Sequence, residues 1–210
     1  MADTSSIKPA YKPTPIPSTN IQTEPPTVQS LIRTLNLTPH PEGGYFVETD
    51  RSPLRIANPY ADGVVQSINA ENPESYKHPL DLKAGSNDDL NQTRSASTSI
   101  FYLLSPGSPL GVFHRNASRT VHTLHRGRGR YVIIHAEEAA REGGDGDGDG
   151  DGKARIESFV VGPDVEKGER LQWIVEGGEY KATYLLPDDD GLDDRDGRSG
   201  SGGLLISEVR

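Results

Sequence analysis

From residue 98 onward, apolar and polar residues alternate in short runs, at 98–104, 110–115, 119–126, 130–135, 155–161, 171–176, 179–186 and 203–209. Residues two apart on a strand share a face, so each run has a face to bury and a face to expose. Gly, Pro or Asp clusters separate most of the runs, and many short strands at this spacing predict an all-β sandwich or barrel. An earlier run, Tyr45-Phe-Val-Glu-Thr49, alternates in the same way after a turn over Thr38–Gly44 in which Gly43 and Gly44 permit positive φ. Thr27–Asn36 spaces Val28, Leu31, Ile32 and Leu35 like a short helix, with Thr27 as a candidate N-cap and Asn36 as a stop.

The remaining segments have little to bury. Residues 1–27 hold six prolines among Ser, Thr and Lys and read as a disordered tail, so the folded unit is expected over 28–210. Residues 52–95 are polar and weakly patterned, a long excursion between strands. Low-complexity insertions stand at 143–152 and 188–202. The first offers Asp145, Asp147, Asp149 and Gly150 to a calcium loop. The bidentate acid that such a loop requires would fall on Ile156, or on Ser158 if the loop starts two residues later, so a solvated hairpin loop is the better reading.

Charge follows the same division. The net charge is −9, yet residues 142–151 and 188–196 together carry −10, leaving the rest of the chain near neutral. No phosphate-neutralising surface is implied, and the run Arg126-Gly-Arg-Gly-Arg130 fits a turn with solvated arginines better than a nucleic-acid patch. There is no cysteine, which excludes disulfides and thiolate chemistry. No apolar run approaches the roughly 20 residues of a membrane span, and the N-terminus carries no signal or transit pattern. A soluble intracellular protein with no membrane partner is the expectation.

Four stretches in order carry a more specific signal: His40-Pro-Glu-Gly-Gly-Tyr-Phe-Val-Glu48-Thr, Ser97–Leu104, His114–Gly127, and Gly162-Pro-Asp through Gly168-Glu-Arg-Leu-Gln-Trp173. Through them the chain resembles a cupin-superfamily family of unknown function, the RmlC-like type-5 cupins, and most closely its fungal branch. The resemblance covers about residues 28–210 apart from the acidic insertions. It implies a double-stranded β-helix, or jelly roll, with a pocket in the barrel mouth and assembly as a homodimer. Such proteins commonly continue with a Pro-Gly-Phe segment, so a terminal piece is expected beyond Arg210.

The resemblance also supplies a ligand frame, His-x-His, a glutamate and a later histidine. Anchored on Gly127, it puts His114 at the first histidine, Asn116 at the second, Thr120 at the glutamate and Lys181 at the last ligand. A cupin metal wants three imidazoles and a carboxylate, so no metal and no other cofactor is expected at the usual site. Period-two alternation then sends His122 inward with Thr120, and puts Arg115 and Arg119 on the opposite face. The expected pocket contains His114, Asn116, Thr120, His122 and Lys181, walled by some of Tyr45, Tyr102, Trp173 and Tyr180, with Glu48 as a pocket acid or a salt-bridge partner. Trp173 reads more readily as core or dimer interface than as a ligand platform. His40 and His78, near prolines in loops, carry no case.

Such an interior suits a small polar or anionic molecule, for example a sugar or a sugar nucleotide. One use is binding alone. Another, implied by jelly-roll sugar epimerases that work without metal through a histidine base and a tyrosine acid, would employ His114 or His122 as base. Lys181 would then stabilise the developing enolate, and Tyr102 or Tyr180 would return the proton. A metal-dependent dioxygenase is the least favoured. Catalysis requires a histidine, a carboxylate and a tyrosine around one cavity, and Glu48 is the only carboxylate that the sequence suggests.

Overall fold

The computed structural model describes Pro9, Tyr11 and residues 21–60, 93–136, 154–188 and 202–210. His78 and most of both insertions lie outside these residues. A 3-10 turn, Ile21–Thr23, leads into helix α1, Pro26–Thr34. The strands are β1 Thr38–Pro39, β2 Tyr45–Arg51, β3 Arg55–Ala57, β4 Thr93–Ser95, β5 Thr98–Leu104 and β6 Leu110–Arg115. They continue as β7 Thr120–Arg126, β8 Arg128–His135, β9 Arg155–Val161, β10 Gln172–Val175, β11 Tyr180–Leu186 and β12 Leu204–Val209. A six-stranded sheet in the order β1-β2-β5-β12-β7-β10 packs on a four-stranded sheet in the order β6-β11-β8-β9, with β3 and β4 as a separate pair. Every strand pairing in these sheets is antiparallel. The architecture is the expected all-β jelly roll.

Alternation sorts the core into layers. Phe46, Tyr102, Leu104, Leu204 and Ile206 of the larger sheet meet Tyr131, Ile133, Phe159, Val161 and Leu185 of the smaller one. The residues between them point the other way. Tyr45, Leu103 and Leu205 receive Val28 and Ile32 of α1, together with Leu37, on the outer face. Tyr45 is therefore fully buried under the helix, with its hydroxyl 3.3 Å from Glu24 Oε1, and is not a pocket wall.

Some local expectations change. Thr27 does not cap α1: Pro25 holds the N-cap position without a side-chain cap and Pro26 follows at the start, where a missing N–H costs nothing. Asn36 does stand beyond the helix end in the left-handed region, at φ 54°. The packed structure also begins before residue 28, because Glu24 is buried and accepts from Ser105 Oγ at 2.6 Å and Gly107 N at 3.1 Å. In the arginine-glycine run only Gly127 lies between β7 and β8, at φ 78°, and β8 already contains Gly129 and Arg130. Among the described residues no helix is long and apolar enough to cross a membrane.

Candidate functional site

An open cavity lies in the mouth between the sheets, about 630 Å³ when counted out into its opening. Its lining comes from both sheets and from the β1–β2 loop. Lys181 of β11 stands opposite His114 of the edge strand β6. Across the sandwich, Glu208 of β12 stands opposite His122 of β7, which in turn stands opposite Trp173 of β10. These registers converge because each residue lies on the inward face of its strand.

Lys181 is the centre of the arrangement. It is only 2% exposed, and its Nζ lies 2.8 Å from Glu208 Oε2 and 2.7 Å from His122 Nε2. An ammonium can only donate, so His122 accepts through Nε2 and carries its proton on Nδ1. Burial, reinforced by the Lys181 charge, holds the His122 pKa below its ordinary value. Burial alone would raise Glu208, but the charge of Lys181 beside it holds its carboxyl well below the usual range. Trp173 lies flat on His122, with ring centroids 5.2 Å apart, and meets Tyr131 edge-on at 4.6 Å.

A second pair faces this one. Glu42 Oε2 is 3.2 Å from His114 Nδ1, which is also 2.9 Å from the Val112 carbonyl oxygen. A histidine nitrogen shared between a carbonyl and a carboxyl oxygen carries the proton, so Nε2 of His114 is its unprotonated nitrogen. Burial raises Glu42 to about 7. Burial and the nearby Lys181 lower His114 to about 3. Both groups are thus moved toward their neutral forms.

The loop that delivers Glu42 is firmly fixed. His40 N donates to Gly44 O at 2.9 Å, Gly43 N to His40 O at 3.0 Å, and Val112 N to Glu42 O at 2.9 Å. Glu42 N donates to His40 Nδ1 at 3.1 Å, and Tyr102 donates its hydroxyl proton to Gly43 O at 2.8 Å. Gly43 has φ 101°, and a side chain there would run into the Leu110 carbonyl, so the loop requires glycine at that point.

Of the residues proposed from sequence, His114, Asn116, Tyr102 and Lys181 line the cavity. His122 and Thr120 sit behind it, fully buried; Thr120 receives Asn116 Nδ2 at 3.3 Å. Tyr102 is no proton donor to a ligand, because its proton is committed to Gly43 and burial raises its pKa well above the ordinary value. Trp173 belongs to the core. Tyr180 packs under Arg115, 5.2 Å from the guanidinium carbon, and Arg119 pairs at the surface with Glu176. Glu48 shares the row of Ile100 and Glu208 but turns to Arg51, at 2.7 Å. Sequence reasoning missed His40, Glu42, Glu208 and Arg210, all of which line the cavity.

The positions that a cupin metal would use do not form a ligand set here. Lys181 Nζ holds one of them as a donor bonded to Glu208, and Asn116 is bonded to Thr120. Among the described residues no group of three or more His, Asp or Glu side chains is arranged for a metal ion. The donors present do not fit one, since an ammonium repels a cation and offers no lone pair.

Comparison with known proteins agrees with the architecture. The family model described as cupin superfamily (DUF985) matches residues 29–210. The uncharacterised Saccharomyces cerevisiae protein YML079W is 36% identical, over 99% of this chain and 79% of its own length. A hypothetical protein from Leishmania major superposes with a TM-score of 0.53 at 25% identity, covering 86% of this chain and 78% of that one. Protein SO0799 from Shewanella oneidensis gives 0.50 at 19% identity, covering 86% and 74%, and shows the fold.

The raised pKa of Glu42 makes a stability prediction. The folded state favours its protonated form, a contribution fully present below 4.5 and lost as pH rises through about 7. Glu42→Gln should therefore gain on the wild type as pH increases from 5 to 8, by about 3 kcal/mol at most. Denaturant unfolding at the two pH values measures this; a difference independent of pH would contradict it.

Proposed function

The chain belongs to the DUF985 family of the cupin superfamily, and on that premise we propose that its barrel cavity binds a small polar or anionic molecule without a metal. The observation that carries this reading is Lys181, a buried cation lining the cavity and held by Glu208 and His122. Desolvating a charge is costly unless it is paired, and the ion pair keeps an ammonium available where an apolar barrel would exclude it. Asn116, Thr98 and Arg210 add polar groups around the same space, and Ile100, Tyr102 and Tyr131 add apolar walls, the mixture typical of a small-molecule site.

The experiment is to dialyse the purified protein against a mixture of polar metabolites and identify what it retains by mass spectrometry. Wild type should retain a compound that Lys181→Met loses; Asn116→Leu, at the cavity surface, serves if the first variant does not fold. Retention of nothing by wild type, or equal retention by both variants, would contradict the reading.

A specific observation favours catalysis as a second reading, with a different base from the one expected. His114 at about 3 is a weak base, whereas Glu42 at about 7 is matched to neutral pH. In this reading Glu42 takes the proton from a carbon beside a carbonyl, His114 positions it through Nδ1, and the electron pair moves onto the carbonyl oxygen against Lys181. Return of that proton to the neighbouring carbon, with the hydroxyl proton passing to the former carbonyl oxygen, completes an isomerisation; epimerisation takes its proton on the opposite face of the first carbon, from water in the open cavity. With the retained compound in deuterated water, deuterium should enter that carbon, faster as pH rises through 7. Glu42→Gln should slow it by about 100-fold or more. Absence of incorporation, or full activity in Glu42→Gln, would leave binding alone.

A further inference from the structure

We propose that the ligand is a small monocarboxylate bearing a hydroxyl or carbonyl oxygen near its carboxylate, with Arg210 holding the carboxylate and Lys181 the second oxygen. This narrows the small-molecule reading above and rests on it.

The first support is the donor count on Lys181. An ammonium has three N–H groups. Among the described residues His122 and Glu208 take one each, at 2.7 and 2.8 Å. The third belongs to a side chain that is 2% exposed and lines the cavity, and an idle donor on a buried charge is costly. The acceptor it requires is an oxygen in the cavity, supplied by a ligand or by the water that the ligand displaces.

The second support is the balance of charge. Lys181 is neutralised by Glu208, and burial keeps Glu42 protonated through the acidic range up to about 7. Arg210 also lines the cavity, and among the described residues no Asp or Glu side chain lies within 4 Å of its guanidinium. Among the described residues its side chain bonds only Thr98 Oγ1, through Nε at 3.4 Å. Its backbone is pinned to Thr98 on both sides, N to O at 3.1 Å and O to N at 2.8 Å, so the side chain follows Glu208 onto the inward face. The two terminal nitrogens of the guanidinium form a fork suited to one carboxylate.

These observations favour one negative charge. While Glu42 is protonated, a neutral sugar leaves Arg210 without a counter-charge, and a nucleotide diphosphate brings at least one charge more than the cavity balances. An oxo or hydroxy acid, open-chain or cyclic, satisfies both cations. It also sets the polarisable oxygen on Lys181 and brings the neighbouring carbon among Glu42, His114 and Tyr102.

Isothermal titration calorimetry on the full chain tests this with lactate, pyruvate, gluconate and glucuronate, with glycerol and glucose as neutral counterparts, and with UDP-glucose. At least one acid should bind at least tenfold more tightly than its neutral counterpart. Arg210→Gln should weaken that acid by roughly tenfold to a hundredfold without changing the neutral compound, and Arg210→Lys should restore part of the loss. Glucose or UDP-glucose binding as tightly as the acids, or an acid affinity indifferent to Arg210→Gln, would overturn the monocarboxylate and leave the small-molecule site standing. Binding of none of the probes would overturn both.

Discussion

The ion pair between Lys181 and Glu208 is the constraint on which the mouth of this barrel depends. The side chains come from strands of opposite sheets, and the pair ties those sheets together where the apolar core gives way to the cavity. In a low-dielectric interior neither charge is tolerable without the other, and removal of one partner typically costs about 3 to 5 kcal/mol. His122 takes a second of the cation's three donors, and Trp173 walls the imidazole off on its far side. One group of residues thus stabilises the fold and presents a positive charge to whatever enters.

The same field sets the chemistry of the residues opposite. Glu42 and His114 are both desolvated in sight of Lys181, and the pair settles close to neutrality, with the carboxyl poised near the pH at which it can change state. The loop carrying Glu42 holds it there through backbone hydrogen bonds and a glycine in a conformation closed to other residues. Preorganised groups of this kind need not rearrange when a ligand arrives, which is the condition under which they are effective in binding or proton transfer.

Much of the fold was legible because strand alternation is a local signal. The runs at 98–104, 110–115 and 155–161 coincide with β5, β6 and β9, since each has a face to bury. Alternation with the ligand frame also led to His114 and Lys181. The carboxylates were hidden for different reasons. Glu42 stands in a Pro-Glu-Gly-Gly stretch that reads as a turn, and the same glycines are what bring it to His114, seventy-two positions further along the chain. Glu208 is a charged residue near the end of an edge-like run, and such residues usually face solvent; only the pairing of β12 between β5 and β7 turns it inward. Glu48 seemed the better candidate by its strand position, but Arg51, three residues along, captures it. Neither the outer helix above Tyr45 nor the stacking of Trp173 could be assigned before the layers were known.

The central claim is that a lysine ion pair stands where the fold would otherwise seat a metal. Elemental analysis of the purified protein, combined with native mass spectrometry of the same sample, tests it most directly. The account predicts no stoichiometric manganese, iron, nickel, copper or zinc, and unchanged metal content after added metal is dialysed away. One tightly held transition-metal ion per chain would contradict it, because Lys181 could not then keep its bonds to Glu208 and His122.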